Sequence, residues 1–192
     1  MQKIVIFGGT GFVGRTLCEQ LAREGVPLLV PTRRRQAARH LIHLPTVTVV
    51  EAHIDDSAEL DALVQGADAV VNLVAVLQGN EDRFARVHVD LVRAIAQACL
   101  RQSVPRLVHV SALGVPDSDP ASAPSRYLRS KARGEQVLAQ AAESGLKVAL
   151  LRPSVIFGRN DKLLNMFAGL QRVFPVVPLA GADARFAPVW VD

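Results

Sequence analysis

Three polar side chains in the second half of the chain have the types and the spacing that proton transfer requires. Tyr127, which is the only tyrosine, and Lys131 stand four residues apart in a segment of helical periodicity, so both lie on one helix face. A lysine ammonium near a phenol favours the phenolate, so we expect Lys131 to lower the pKa of Tyr127 toward the range of a general acid or base. Ser111 ends an apolar strand pattern, where its hydroxyl can hydrogen-bond a substrate carbonyl or hydroxyl. This pattern predicts Ser111, Tyr127 and Lys131 as catalytic residues.

A glycine-rich turn near the start of the chain has the spacing of a phosphate-binding loop. Residues 6–14 read IFGGTGFVG, between an apolar β-branched run and a segment of helical periodicity. Gly8 permits a tight turn out of the strand, Gly11 lets the backbone approach a pyrophosphate, and Gly14 allows the helix to pack closely on the sheet. This context predicts a dinucleotide site at the N-terminus of the first helix, with a plain tight turn as the alternative.

Arginines at the end of the second predicted strand bear on the choice of nicotinamide cofactor. An acidic residue there binds the 2′-hydroxyl of NAD, whereas arginine accommodates the 2′-phosphate of NADP. The chain has TRRR at 32–35 and no Asp or Glu from 26 to 50. We therefore favour NADP(H) over NAD(H), with Arg33 and Arg34 as partners of the 2′-phosphate. The alternative is that these arginines belong to a solvated helix start.

Alternating strand and helix patterns supply the frame that positions these residues. Apolar runs predict strands at 3–7, 27–30, 47–50, 68–75, 106–110 and 147–151, and helical spacing predicts helices at 12–24, 34–43, 57–65, 83–102 and 126–144. This repetition with short loops predicts right-handed crossovers, and hence the α/β class with a doubly wound parallel sheet, the Rossmann fold. We assign residues 1–151 to a dinucleotide-binding domain and 152–192 to the start of a truncated substrate-binding region, whose lobe we expect to be largely absent. The final PVWVD has the pattern of a strand.

Composition and charge argue against several other classes of protein. Apolar residues make up 49% and aromatic residues 5%, as in a globular domain with an aliphatic core. The net charge is +4, but the basic residues are spread along the chain without interleaved aromatics, which argues against nucleic-acid binding. No apolar run reaches the length of a membrane span, and no signal-peptide pattern precedes the first strand. Cys18 and Cys99 lie far apart in helical patterns, so we expect two buried, reduced thiols and a cytoplasmic location. We predict no metal site, and the basic surface leaves association with an anionic membrane or a protein complex open.

Several motifs together resemble a known family. GGTGFVG, DAVVNLVA, HVSALG, YLRSKARGE and LLRPSVIFGRND are similar to motifs of the short-chain dehydrogenases/reductases of the extended or atypical kind, the NAD-dependent epimerase/dehydratase group. They most resemble the branch related to the nucleotide-binding accessory subunit of respiratory complex I. The resemblance implies a catalytic triad of Ser111, Tyr127 and Lys131, with Lys131 also contacting the nicotinamide ribose. It implies cofactor contacts at Gly8, Thr10, Gly11, Phe12, Val13, Gly14, Arg33, Ile54, Val74 and Ala75, and closure over the nicotinamide by Arg152, Pro153, Ser154 and Val155.

The chain departs from the family pattern at three places. Relatives often have Asp after the third strand, where this chain has His53-Ile54, and Asn in the fourth helix, where this chain has His88. His88 is either a polar substitute in the site or a hydrogen-bonded helix histidine, and we expect the second. The family also normally continues past PVWVD into a substrate-binding lobe.

Two functions fit the sequence. The first is an NAD(P)-dependent oxidoreductase or epimerase that acts on an unidentified small molecule through a Ser-Tyr-Lys proton relay. The second is an NADPH-binding structural or regulatory module of the complex I accessory-subunit type, which would bind the cofactor without turnover. The substrate and the oligomeric state are left open.

Overall fold

A parallel sheet of six strands lies at the centre of the computed structural model of the chain, which describes residues 3–161, 165, 169 and 187–191. The strands are β1 (Ile4–Phe7), β2 (Leu28–Thr32), β3 (Val47–Glu51), β4 (Ala69–Asn72), β5 (Arg106–Val110) and β6 (Lys147–Leu151). Their order in the sheet is β3-β2-β1-β4-β5-β6, and every neighbouring pair is parallel. This order confirms the doubly wound Rossmann sheet, in which the strand order reverses between β1 and β4.

Helices cover both faces of this sheet. They are α1 (Phe12–Arg23), α2 (Ser57–Val64), α3 (Glu81–Ala85), α4 (Leu91–Arg101) and α5 (Arg126–Glu143). Buried apolar residues of α2, α4 and α5 pack on one face against side chains such as Phe7 and Leu107. On the other face, Cys18 of α1 packs with Ile6, Val30 and neighbouring residues. Because parallel strands buried on both faces need apolar side chains in both directions, the aliphatic composition suits this arrangement.

Local sequence signals explain where several helices begin. The Asp56 carboxylate accepts from the backbone amides of Ala58 and Glu59 before α2, and the Ser125 hydroxyl accepts from the amide of Leu128 before α5. These N-caps satisfy amides that have no partner within the helix.

Short strands β7 (Ile156–Phe157) and β8 (Val189–Trp190) form a separate parallel pair, which confirms the strand pattern of PVWVD. The division into regions 1–151 and 152–192 stays a prediction, and much of the second region lies outside the described residues.

Two predicted helices were wrong in extent or type. Residues 34–43 form a single 3-10 turn, Arg35–Ala38, followed by further turns, because no side chain caps the start and Pro45 follows closely. The predicted helix 83–102 is broken by a π-helical segment, Arg86–Asp90, between α3 and α4. Gly134 of α5 lies against this segment so closely that a Cβ there would overlap the His88 carbonyl oxygen. The π-helical segment therefore lies where α5 packs closely against this part of the chain.

The predicted strand 68–75 is shorter than expected. β4 ends at Asn72, whose side-chain oxygen accepts from the amide of Val74 at 3.1 Å. This side-chain hydrogen bond replaces a ladder hydrogen bond and turns the chain out of the sheet. Residues 73–75 consequently form a loop at the carboxyl edge of the sheet, where ligands of doubly wound folds bind.

Candidate functional site

The glycine turn between β1 and α1 has the geometry of a cradle. Gly8 has a φ of +81°, which side-chain-bearing residues rarely adopt, and its carbonyl accepts from the amide of Gly11 at 3.0 Å. A Cβ on Gly14 would overlap the Gly8 carbonyl oxygen, whereas a Cβ on exposed Gly11 would meet only that oxygen, at 3.2 Å. Gly14 is thus needed for close packing within the chain, and Gly11 leaves room above the turn.

The N-terminus of α1 is open toward this cradle. Gly11 is the N-cap residue, no side chain caps the helix, and its first turn contains no acidic residue. The first amides of α1 therefore retain their capacity to donate to an anion, which the helix dipole also favours. Phe12 and Val13 in the first turn, and Thr10 before it, are half-buried. This arrangement fits the diphosphate of a dinucleotide.

The other predicted cofactor residues lie at the same edge of the sheet. Arg33 and Arg34 follow β2 with exposed side chains, and neither guanidinium has a hydrogen-bond or ion-pair partner within the described part of the chain. Ile54 follows β3 and is half-buried, as is Val74 after β4, whereas Ala75 is exposed. All five stay predicted contacts.

The segment Pro153–Val155 after β6, which we call the strap, runs past the end of β5. The Pro153 carbonyl accepts from the amide of Leu113 at 2.9 Å, and the Val155 carbonyl accepts from the amide of Val189. Ser154 lies between these two tethers and is half-buried. The strap is therefore held by backbone hydrogen bonds on both sides, and its predicted contact with a nicotinamide ring stays a prediction.

Two of the three predicted catalytic residues, Ser111 and Lys131, are brought together at the carboxyl end of β5. The Lys131 ammonium donates to the Val110 carbonyl at 2.9 Å, so α5 is attached to the strand directly before Ser111. Ser111 is 4% exposed, and its hydroxyl has no hydrogen-bond partner within the described residues. Tyr127 lies one helical turn before Lys131 and is half-buried. No hydrogen bond joins the phenol, the ammonium and the Ser111 hydroxyl in the part of the chain that the structure describes.

Burial changes the expected acid–base properties of this group. We expected Lys131 to lower the pKa of Tyr127, and this was wrong: burial raises the pKa of Tyr127 above its usual 10.0. The physical reason is that the ammonium is directed to the Val110 carbonyl, while the phenol has lost water. Burial lowers the pKa of Lys131 to about 8, and the nearby Glu135 opposes this change. The phenol of Tyr127 is therefore protonated at neutral pH.

His88 is buried next to Tyr127 with both ring nitrogens hydrogen-bonded. Nε2 accepts from the Val76 amide at 3.1 Å, so the proton lies on Nδ1, which donates to the Ser130 hydroxyl at 2.7 Å. The Ser130 hydroxyl donates in turn to the Tyr127 carbonyl at 2.7 Å. The His88 and Tyr127 rings pack edge to face with centroids 5.5 Å apart. The expectation of a hydrogen-bonded helix histidine is confirmed, and this histidine links the loop after β4 to α5.

Sequence reasoning missed a second buried histidine. His109 of β5 is 1% exposed, and its Nδ1 accepts from the Asn72 amide group at 3.1 Å, because the Asn72 oxygen already accepts from Val74. The proton of His109 is consequently on Nε2, which has no partner among the described residues. Burial, with Lys131 and His88 nearby, lowers its pKa to about 3. Its position two residues before Ser111 in the strand was the available signal.

Sequence reasoning also missed an ion-pair cluster around Arg152, the residue before the strap. Its Nη2 donates to Glu135 Oε2 at 2.6 Å, and its Nε lies 3.1 and 3.2 Å from the two Glu135 oxygens. Its Nη1 donates to Asp117 Oδ1 at 2.6 Å. These carboxylates raise the pKa of Arg152 further above its usual value. No signal in the sequence indicated this cluster, because its two carboxylates lie 17 and 35 positions from Arg152 in the chain.

Comparison with known proteins shows the class to which this fold and glycine turn belong. The sequence model of the NAD dependent epimerase/dehydratase family matches residues 4–173, so the chain belongs to that family. A mouse protein named NADH dehydrogenase [ubiquinone] 1 alpha subcomplex subunit 9, mitochondrial, is 35% identical over 97% of this chain and 49% of its own length. Ceramide reductase of Caulobacter vibrioides is 31% identical over 98% of this chain and 57% of its own length. The solved structure of a double mutant of DesIV, a dTDP-glucose 4,6-dehydratase from Streptomyces venezuelae with NAD bound, superposes with a TM-score of 0.80 at 26% identity, over 98% of this chain and 68% of that one.

These relatives confirm the resemblance that the motifs indicated, including the likeness to complex I subunits. The chain spans about half the length of the relatives named above. Within the described residues, no helix is both long and apolar enough to cross a membrane, and no group of three metal-ligating side chains is found. Cys18 and Cys99 are buried and free, as predicted, and burial raises the pKa of each thiol to about 12.

Proposed function

We propose that the chain binds a nicotinamide dinucleotide at the carboxyl edge of its sheet and acts there as an oxidoreductase or epimerase. The glycine cradle with its uncapped helix would hold the diphosphate, and the strap would close over the nicotinamide. When bound, the dinucleotide supplies or accepts a hydride. The residues of the chain then have to bind the substrate, orient it and move one proton.

The observation that carries this proposal is the buried hydroxyl of Ser111, which has no partner among the described residues. Ser111 directly follows Val110, whose carbonyl accepts from Lys131. A buried hydroxyl without a partner costs free energy, and a substrate oxygen would satisfy it. In the reducing direction the Ser111 hydroxyl orients a substrate carbonyl, whose carbon gains a hydride while its oxygen takes the proton from the Tyr127 hydroxyl. Lys131, whose pKa is lowered to about 8, lies one helical turn away. Its ammonium donates to the Val110 carbonyl in this structure and would have to turn toward the phenol to stabilise the resulting phenolate.

The enzyme reading is tested by Tyr127→Phe in the full-length protein. We expect oxidation of NADPH across a panel of carbonyl compounds to fall by about 10²- to 10⁴-fold, with cofactor affinity retained, because only the proton donor is removed. Ser111→Ala should act in the same direction, whereas Ser144→Ala at the exposed end of α5 provides a matched serine control. Equal turnover in wild type and Tyr127→Phe would contradict the proposal.

We also propose that the site prefers NADP(H) to NAD(H). The support is the pair of exposed guanidinium groups of Arg33 and Arg34 at the end of β2, for which the described residues offer no partner. Arg33→Ala should weaken binding of NADPH by about tenfold or more and leave NADH binding nearly unchanged, because only NADPH carries the 2′-phosphate. Arg39→Ala, an exposed arginine in the next turn, is the control. Equal losses of affinity for NADPH and NADH would contradict the assignment of Arg33 to the 2′-phosphate.

A second candidate function is a cofactor-binding module without turnover. The observation that favours it is the relative from mouse, which is named as a subunit of NADH dehydrogenase and matches 97% of this chain. Such a role requires the glycine cradle and an assembly partner but not the proton relay. Tight NADPH binding by the full-length protein, no turnover with any carbonyl tested, and co-purification with a larger complex would support this alternative.

For location we propose a reducing compartment such as the cytoplasm, which the two free, buried cysteines support. The mouse relative is named as a mitochondrial protein, so fractionation of cells that produce the full-length protein is the deciding measurement.

A further inference from the structure

One guanidinium joins three segments around the candidate site. Arg152 follows β6 and precedes the strap, Glu135 lies on α5, and Asp117 lies in the loop that follows Ser111. The Arg152 side chain donates to the Glu135 carboxylate through Nε and Nη2, at 3.1 and 2.6 Å, and to Asp117 through Nη1 at 2.6 Å. Two-point pairing of this kind fixes the guanidinium plane as well as the distance. We call Arg152, Glu135 and Asp117 the arginine clamp.

The two carboxylates of the clamp lie in different surroundings. The Glu135 side chain is 8% exposed and that of Asp117 is 90% exposed, while that of Arg152 is 32% exposed. A buried carboxylate that loses its cation leaves an uncompensated charge, which is far more costly than the loss of an exposed ion pair. The pair of Arg152 and Glu135 therefore contributes most to the stability of the clamp, and Asp117 attaches the surface loop to it.

Glu135 also lies one helical turn after Lys131, and its negative charge acts on the ammonium. The Glu135 carboxylate raises the pKa of Lys131 against the larger, opposite effect of burial. The other titratable groups that face Lys131 are His88 before α4, His109 on β5 and Tyr127 on its own helix; the Lys131 charge lowers the pKa of both histidines. Arg152 pairs with the same carboxylate, so its positive charge opposes the effect of Glu135 on Lys131.

We propose that Arg152 is a positioning residue for the reaction, which holds the strap against the helix of Tyr127 and Lys131 and balances the Glu135 charge that Lys131 experiences. This inference rests on the proposed function, because the strap and the lysine matter only at a working cofactor site. Arg152 directly precedes Pro153, so its paired side chain anchors the backbone at the start of the strap. Misplacement of about 1 Å in such a site can cost on the order of a hundredfold in rate.

Two substitutions distinguish this role from a merely structural one, because they should shift the pKa of Lys131 in opposite directions. Arg152→Gln leaves the Glu135 charge uncompensated and should raise the pKa of Lys131 by about 0.5 to 1 pH unit, whereas Glu135→Gln should lower it by a similar amount. The titration is read from the ¹³Cε resonances of labelled lysine in the full-length protein. Lys131→Met identifies the Lys131 resonance by its absence from the spectrum.

The matched control is Arg101→Gln. Arg101 donates through Nε and Nη2 to Asp61 at 2.7 to 3.1 Å, an arginine–carboxylate pair between α4 and α2 outside the site. This variant should leave the Lys131 titration unchanged. Arg152→Lys keeps the charge without the two-point geometry, so it should hold the pKa of Lys131 near the wild-type value while kcat/KM falls by about tenfold. Circular dichroism establishes that each variant is folded.

The outcomes separate this proposal from the proposed function. Opposite shifts in the two variants support the clamp, and they are measured without turnover. Shifts in the same direction, or no shift in folded protein, overturn the clamp even if the wild type is an active enzyme. If Arg152→Gln does not fold, Glu135→Gln and Arg152→Lys decide together: an unchanged or raised pKa of Lys131 in Glu135→Gln, or an unchanged kcat/KM in Arg152→Lys, overturns the proposal. If wild type shows no turnover but the pKa of Lys131 shifts in opposite directions in the two variants, the proposed function is overturned. The effect of Arg152 and Glu135 on the Lys131 charge is then still supported.

Discussion

Acidification should weaken the fold through His88. Its Nε2 must be unprotonated to accept from the Val76 amide, and burial together with the Lys131 charge lowers its pKa from 6.5 to about 4. Between pH 6.5 and about pH 4 the unfolded chain binds a proton at His88 that the folded chain does not. The free energy of unfolding therefore rises with pH in this window, and the His88 contribution to it is lost as the pH falls from 6.5 to about 4. At 1.36 kcal/mol per pH unit, the His88 contribution amounts to about 3 kcal/mol. His109, with a pKa of about 3, acts in the same direction.

Comparing the free energy of unfolding of wild type with that of His88→Gln isolates the contribution of His88 to the pH dependence. Glutamine can accept from the Val76 amide through Oε1 and does not titrate. When the pH is lowered from about 7 to 4.5, the free energy of unfolding of the variant should therefore fall by roughly 2 to 3 kcal/mol less than that of wild type. Urea unfolding at a series of pH values, followed by circular dichroism, measures this difference. His43→Gln, at an exposed side chain, controls for loss of a histidine. Parallel stability profiles for wild type and His88→Gln would refute the reasoning, because another group would then cause the acid sensitivity.

Further predictions concern the glycine turn and the thiols. Gly14→Ala should lower the free energy of unfolding by about 2 to 3 kcal/mol in chemical denaturation, because its Cβ would overlap the Gly8 carbonyl oxygen. Gly11→Ala should leave stability within about 1 kcal/mol and weaken dinucleotide binding by about tenfold in calorimetry, since it narrows only the open side of the cradle; normal binding would contradict the cradle. Cys18 and Cys99, whose pKa values are raised to about 12, should react with a thiol reagent only as fast as the protein unfolds. Rapid labelling of native protein would show that at least one of them is accessible.

Features governed by local backbone rules could be predicted from the sequence. The glycine turn, the six strands and the long helix α5 follow from residue spacing, and they place the predicted site residues at one edge of the sheet. The break of the helix at 86–90 could not be predicted, because it accompanies the close approach of Gly134, which is distant in sequence. The 3-10 turn at 35–38 was missed because apolar spacing alone does not distinguish a helix from successive turns that bury Ala38 and Leu41.

Within the site, residue types could be predicted but their electrostatics could not. The helical spacing of Tyr127 and Lys131 places them on one face, yet the partner of the ammonium is a backbone carbonyl of β5, which no side-chain pattern reveals. The direction of the Tyr127 pKa depends on burial, which is a property of the packed fold. The arginine clamp joins residues 17 and 35 positions apart and depends on the alignment of α5, β6 and a loop.

The strand order divides the molecule along one seam. The segments from β1 to β3 and from β4 to β6 are each continuous in the chain, and within the sheet they meet only where β1 pairs with β4. A dinucleotide seated across the carboxyl ends of these two strands would act as a staple between the halves. Its binding should slow amide hydrogen exchange at the paired residues of β1 and β4 more than at the β2–β3 ladder, which lies within one half and gains no such crosslink.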